Sequence, residues 1–151
     1  MRVLVQRSLE SSVSVNAKIV GHIDKGLVLF VGFTHNDTIE DIKYLVRKIL
    51  NLRVFDDTNG VMNKSVIDTC GSILSVSQFT LYASTKKGNR PSYIEALNGN
   101  EAIKLYDLFN QELRKNNINV ETGIFGSDMK VSITNDGPIT ILLESRNKNE
   151  K

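Results

Sequence analysis

One segment restricts the fold more than any other. Ser72 to Ala83 reads SILSVSQFTLYA, with apolar and β-branched residues on both alternating faces, the pattern of a strand covered above and below. A strand of that kind needs a layer on each side, and the rest of the chain must supply them. The first third supplies further strands. Arg2 to Arg7, Ser12 to Val15, Lys18 to Ile23 and Gly26 to Phe33 are short, β-rich and parted by small or polar breaks. Asp24-Lys25-Gly26 suits a tight hairpin, so an antiparallel meander is expected.

The periodicity then changes. Ile39, Ile42, Leu45, Val46, Ile49 and Leu50 recur at three and four and predict a helix from about Thr38 to Leu52. Asp37 is its expected N-cap, with Glu40 completing a capping box. A second helix, from about Asn100 to Asn116, carries Ile103, Tyr106, Phe109 and Leu113 on one face. Each helix is apolar on one side only, so each should lie on a sheet with its other face in water.

Asp56 to Gly60 (DDTNG) forms a turn, and Ser84 to Tyr93 (STKKGNRPSY) a polar, basic loop. Asn119 to Thr122 and Asp128 to Thr134 are strands. NDGP turns the chain, and Ile139 to Glu144 is the last strand. No linker or repeat divides the chain. The expectation is a single α+β domain, residues 1–145, with a mostly antiparallel, barrel-like sheet and two packed amphipathic helices, followed by a charged, fraying tail at 146–151.

Composition excludes several classes. Nineteen basic against seventeen acidic residues give a net charge of +2, too mild for the basic stripe of a general nucleic-acid binder, so any RNA contact must be local. The single cysteine, Cys70, allows no internal disulfide, which points to a reducing compartment. The N-terminus lacks a signal-peptide core, and the longest apolar run, Gly26 to Phe33, is far too short to span a membrane. A cytoplasmic protein with no membrane partner is expected.

The usual catalytic inventory is thin. His22 and His35 are the only histidines, and neither has a metal-spaced neighbour. Zinc chemistry and a Ser-His-Asp triad are therefore disfavoured, and no phosphate-binding fingerprint is present. Two polar insertions stand out. In Ser77-Gln78-Phe79-Thr80, strand alternation puts Gln78 and Thr80 on one face. These groups either satisfy neighbouring backbone or orient a ligand, with Phe79 offering a stacking face to a base. In Asn135-Asp136-Gly137-Pro138, Asp-Gly between apolar strands is ordinarily a hairpin turn, and the proline after it removes a ladder donor. On composition alone, a plain trans turn is the expectation.

Taken with their surroundings, these segments resemble the D-aminoacyl-tRNA deacylases of the bacterial and eukaryotic type. The likeness runs through VQR at Val5 to Arg7, FDDTNGVMNKSV at Phe55 to Val66, SQFTLYA, GNRPSY and TGIFGSDMKVSITNDGPIT at Thr122 to Thr140. It leaves only the charged tail outside.

The resemblance implies hydrolysis of the ester between a D-amino acid, or glycine, and the 3′-terminal ribose of tRNA, by a homodimer that needs no cofactor or metal. It assigns catalysis to Ser77, Gln78, Phe79 and Thr80. Chiral selectivity falls to Gly137 and Pro138, joined by a cis peptide and reaching into the partner's pocket, with Asn135, and with Arg7 bracing their carbonyls. Rejecting L-residues while accepting every D-residue has to rest on exclusion by rigid backbone, because the side chain varies. Backbone N–H groups near Phe79 and Thr80 are the favoured oxyanion hole, with Thr80 in a positioning role. Lys86, Lys87 and Arg90 are candidate phosphate contacts, and Phe79 and Phe125 candidate flanks for the terminal adenine. A non-catalytic nucleic-acid-binding module is the alternative, and a serine hydrolase built on Ser77 is disfavoured for want of a nearby histidine.

Overall fold

In the computed structural model, which describes residues 1–146, the first two expected strands are one. β1 (Arg2–Val15) runs unbroken to Asn16 and Ala17, whose φ values of 50° and 62° make the reversal. This is the primed turn that suits a two-residue hairpin. β2 (Lys18–Ile23) returns along β1, and β3 (Gly26–Gly32) continues in the same direction on the same side. Ser11 pairs with Ile23 and Ser8 with Gly26.

The hairpin expected at Asp24-Lys25-Gly26 is therefore a jog in one path. Gly26 serves close approach instead: at φ +148° a Cβ there would lie 1.8 Å from the Ser72 carbonyl oxygen.

α1 (Ile39–Asn51) follows, then the small ribbon of β4 (Phe55–Asp56) and β5 (Met62–Lys64). β6 (Ser72–Ser77) lies parallel to β3. After α2 (Gly99–Arg114), β7 (Val120–Thr122) lies parallel to β6, and β8 (Lys130–Glu144) runs antiparallel along the far side of β1. The sheet order is β2-β1-β3-β6-β7 with β8 on β1, a mixed sheet nearly closed into a barrel. The long pairings are antiparallel, as expected; β6 is the exception that makes the sheet mixed.

α1 is capped one residue later than expected. Thr38 is its N-cap, and its N–H donates to Asp41 Oδ2 at 2.8 Å. Asp37 is engaged elsewhere, accepting from the Met1 ammonium at 2.6 Å and from Thr34 N–H at 2.7 Å. On α2, Ala102 joins Tyr106, Phe109 and Leu113 in the buried stripe, while Ile103 is 38% exposed. The expected stripe was one residue out at its first member.

The alternation along β3 divides the interior. Leu27, Leu29 and Val31 pack toward the helices with Ile42, Ile49 and Phe109. Val28 faces the barrel interior with Val13, Ile23, Leu74 and Val76. β1 and β8 serve both sides. Val3 and Val5, with Ile139, Ile141 and Leu143, belong to the helix side; Val13, with Met129, Val131 and Ile133, belongs to the barrel side.

The ribbon changes sides where its register breaks, between Gln6 and Ser11 on β1. A bulge is the device that turns a paired strand through such a corner. Asp136, Gly137, Pro138 and Ile139 stand opposite Arg7 alone. NDGP therefore does not reverse the chain, as the hairpin expectation had it; it is a bulge within the single strand β8.

Of the expected tail 146–151, Arg146 donates to the His35 carbonyl at 2.6 Å, and the remaining positions lie outside the described residues. No helix among the described residues is long and apolar enough to cross a membrane.

Candidate active site

β3 and β6 end side by side. The Gln78 N–H donates to Val31 O at 2.8 Å, and a Cβ on Gly32 would come within 2.8 Å of Gln78 O. Glycine is required there for the two chains to meet. Past Gly32 the ladder has no further rung, so the strand expected to reach Ala83 stops at Ser77. The backbone closes on itself as a 3-10 turn, Phe79–Tyr82, with Leu81 N–H on Gln78 O at 3.4 Å and Ala83 N–H on Thr80 O at 3.0 Å.

The expected strand alternation of Gln78 and Thr80 is thus replaced by turn geometry. Gln78 Nε2 donates to Thr80 Oγ1. A turn of this kind leaves its opening N–H groups, those of Phe79 and Thr80, without a partner inside it. Both residues are exposed.

Beside this turn is a cavity of about 480 Å³ at the C-terminal ends of the parallel strands. Ser77, Gln78 and Phe79 form one wall, with Phe125 and Met129 among the others. Phe125 leans on Tyr106 of α2, with ring centroids 5.8 Å apart. Leu97, Gly99 and residues 126–128 also line it and were not anticipated. Gly99 brings the positive end of α2 to the rim. Gly126, at φ +78°, was the one visible signal of a special loop there, as glycine tolerates that conformation without strain.

The chemistry available is sparse. Asp128 lines the cavity but pairs with Lys130 at 2.9 Å. His22 rests against Glu10 at 3.0 Å, and His35 against Ile94 O at 2.7 Å, so neither histidine enters. Ser77 accordingly has no base for a nucleophilic role. Among the described residues, no three His, Cys, Asp or Glu side chains gather as metal ligands.

A second cavity, of about 1090 Å³, lies along the same turn. It collects Lys86, Lys87 and Arg90, as the basic loop suggested, and adds Arg2 and Arg146. Arg2 is fixed: it donates to Leu81 O at 2.9 Å, pairs with Glu144 at 2.5 Å and sits 4.6 Å over the Tyr82 ring. Burial pushes the Tyr82 hydroxyl well above its usual range, which keeps it neutral.

The bulge is a separate construction. The Gly137–Pro138 peptide is cis, and both residues are exposed. Arg7, only 11% exposed at its side chain, donates to Asp136 O at 3.2 Å and to Val54 O at 2.8 Å. Within this chain it therefore grips the carbonyl just before Gly137. Asn135 Oδ1 accepts from Ile139 N–H at 3.3 Å, and its Nδ2 donates to Thr140 Oγ1 at 3.0 Å, closing the loop from inside.

None of Arg7, Asn135, Gly137 or Pro138 lines the Ser77 cavity. Arg7 pairs with Leu27, Leu27 with Ile73, and Ser77 lies further along β6.

Residues 4–144 match the family model described as D-Tyr-tRNA(Tyr) deacylase. A D-aminoacyl-tRNA deacylase of Bacillus cytotoxicus is 53% identical over 146 residues, covering 97% of this chain and 100% of that protein. One from Clostridium novyi is 55% identical over 146 residues, covering 97% and 98%. A solved structure described as c-Myc DNA unwinding element binding protein superposes with a TM-score of 0.90 at 41% identity, covering 95% and 98%. A probable eukaryotic D-amino acid tRNA deacylase superposes at 0.82 with 20% identity over the same shares, a likeness of fold alone.

Proposed function

The chain belongs to the D-Tyr-tRNA(Tyr) deacylase family and hydrolyses D-aminoacyl-tRNA, and we propose that the reaction runs in the Ser77–Phe79 cavity under a filter lent by a second copy of the chain. One observation carries the catalytic half: beside a cavity that neither histidine enters, the turn leaves unpaired the N–H of Phe79, which lines the cavity, and the N–H of Thr80, the next residue, which does not itself line it. Paired backbone donors of this kind stabilise the oxyanion that forms when water adds to the ester carbonyl. Collapse of that intermediate breaks the bond to the ribose oxygen, releasing the D-amino acid and leaving tRNA with a free hydroxyl.

An aminoacyl ester is already activated, so positioning and charge stabilisation suffice. The vicinal 2′-hydroxyl of the terminal adenosine assists the attacking water. Phe79 and Phe125, both lining the cavity, flank the terminal adenine. The substrate is the acceptor end of aminoacyl-tRNA, a partner consistent with a cytoplasmic protein.

Thr80 holds substrate and does not attack it, since its hydroxyl contacts Gln78 and no base. Thr80→Ala keeps the backbone donors and loses one neutral hydrogen bond, so single-turnover deacylation should fall about 3- to 10-fold. Complete loss with tRNA binding intact would make Thr80 the nucleophile.

The filter half rests on placement. Gly137 and Pro138 are exposed on a bulge remote from their own cavity, so in a homodimer they serve the partner's site. Their carbonyls accept from the substrate ammonium, and their backbone occupies the space an L-side chain needs. Glycine, with no side chain, passes the filter.

Lys86, Lys87 and Arg90 engage phosphates of the acceptor end. Replacing both lysines by glutamine should flatten the log-log salt dependence of tRNA binding by about 1.4, from roughly 0.7 per single-strand contact. An unchanged slope removes them from the interface.

The description of the 41%-identical structure favours one other reading, a nucleic-acid-binding module. Offering D- and L-aminoacyl-tRNA with the same amino acid separates the two. Turnover of the D-form alone supports the deacylase, and no turnover supports the module. Turnover of both enantiomers removes the filter.

A further inference from the structure

Phe79 and Tyr93 meet edge to face, ring centroids 5.0 Å apart at 65°, yet they remain 56% and 42% exposed. Neither belongs to either apolar core. Phe79 lines the reaction cavity, while Ser92 and Ile94, on either side of Tyr93, line the basic one. The aromatic pair thus forms a ridge between the two cavities.

The segment that carries Tyr93 is tied down on both sides. Ser84 and Ser92 exchange backbone hydrogen bonds of 2.9 and 2.8 Å, Thr34 Oγ1 donates to Glu95 O at 2.5 Å, and His35 holds Ile94 O at 2.7 Å. These tethers hold the exposed Tyr93 ring against Phe79 without burying it. Across the ridge, the Lys86, Lys87 and Arg90 side chains make no hydrogen bond or ion pair with any other described residue.

We propose that Tyr93, braced against Phe79, stacks the nucleotide preceding the terminal adenosine, guiding the RNA single strand from the reaction cavity over the ridge into the basic cavity. This inference rests on the deacylase reading and adds to it a binding residue for the RNA strand. The 3-10 turn between the cavities rises roughly 8 Å over its length, the scale of two base steps at roughly 3.4 Å each. An exposed ring accepts any base on its face, and flanking cations follow the backbone, which is the usual construction for single strands. Ring removal at such a site weakens binding roughly 5- to 150-fold.

The test compares wild type, Tyr93→Ala and Tyr93→Phe on D-aminoacyl-tRNA. The non-hydrolysable 3′-amide analogue of D-aminoacyl-adenosine, used as a competitor, reports the reaction cavity alone. Expected for Tyr93→Ala is a KM for tRNA raised about 10-fold with kcat unchanged, an unchanged inhibition constant for the analogue, and recovery in Tyr93→Phe. An unchanged KM overturns the inference while deacylation, and so the deacylase reading, stands. An inhibition constant that rises in step with KM also overturns it, because Tyr93 would then act by supporting the cavity wall. If wild type releases no D-amino acid, the deacylase reading itself fails, and this inference with it.

Discussion

Phe79→Pro is expected to lower kcat for D-aminoacyl-tRNA 10²- to 10³-fold below that of Phe79→Ala. Both substitutions remove the ring, so any stacking contribution cancels between them. Only proline also removes the N–H that opens the 3-10 turn. Loss of a single oxyanion donor costs about 2.7–4 kcal/mol of transition-state stabilisation, which sets the range.

The turn tolerates the change. Proline suits the first position of a helical turn, where the N–H has no intrahelical partner. Gln78, at φ −148° and ψ 86°, already lies outside the helical region that a following proline disfavours. Equal melting temperatures for the two variants would establish that the fold is kept. Equal kcat values would remove the Phe79 N–H from the reaction and leave the oxyanion without its best-placed donor.

That experiment depends on a turn that alternation along the strand did not reveal, and the reason is non-local. Ser72 to Val76 read correctly as a strand covered on both faces, because burial is written in the residues themselves. Where the strand stops is decided by its neighbour: the last rung is Val31, and β3 ends at Gly32. Nothing between Ser77 and Ala83 encodes that.

The same asymmetry recurs elsewhere. Ile42, Leu45 and Ile49 announced α1, but its cap moved because Asp37 is drawn to the Met1 ammonium, far away in sequence along the chain. Gly26 looked like a turn glycine and is one of close approach to β6. The true reversal used Ala17, at φ 62°, a residue type with no turn signature. NDGP looked like a hairpin because its residues are those of one; only pairing along the whole of β1 shows a bulge at a corner.

In the site, Ser77 to Phe79 were legible as a contiguous motif. The facing wall at Leu97, Gly99 and 126–128 was not, since folding alone assembles it from separate segments.

Gly137→Ala is expected to lower the preference for D- over L-aminoacyl-tRNA at least about 100-fold, or ~2.7 kcal/mol. At φ +124°, an added Cβ would lie 2.9 Å from Ile139 Cγ1, 3.1 Å from its backbone nitrogen and 3.3 Å from Arg7 Nη2. None of the three can yield cheaply: Ile139 packs on the helix-side core, and Arg7 is anchored on Val54 O and Asp136 O. The bulge must therefore move, and the proposed backbone filter would lose its shape with it.

Strain at a left-handed non-glycine residue costs roughly 1–3 kcal/mol, so a fall of a few degrees in melting temperature should accompany the change. The subunit question follows from the same variant. In a heterodimer of Phe79→Pro and Gly137→Ala, isolated through two affinity tags, a trans filter gives one sound site, combining the intact turn of one copy with the intact bulge of the other. Such a dimer should show about half the wild-type turnover with full chiral preference. If each bulge guards its own cavity, the only competent turn sits beneath an altered bulge, and the heterodimer inherits the relaxed selectivity of Gly137→Ala.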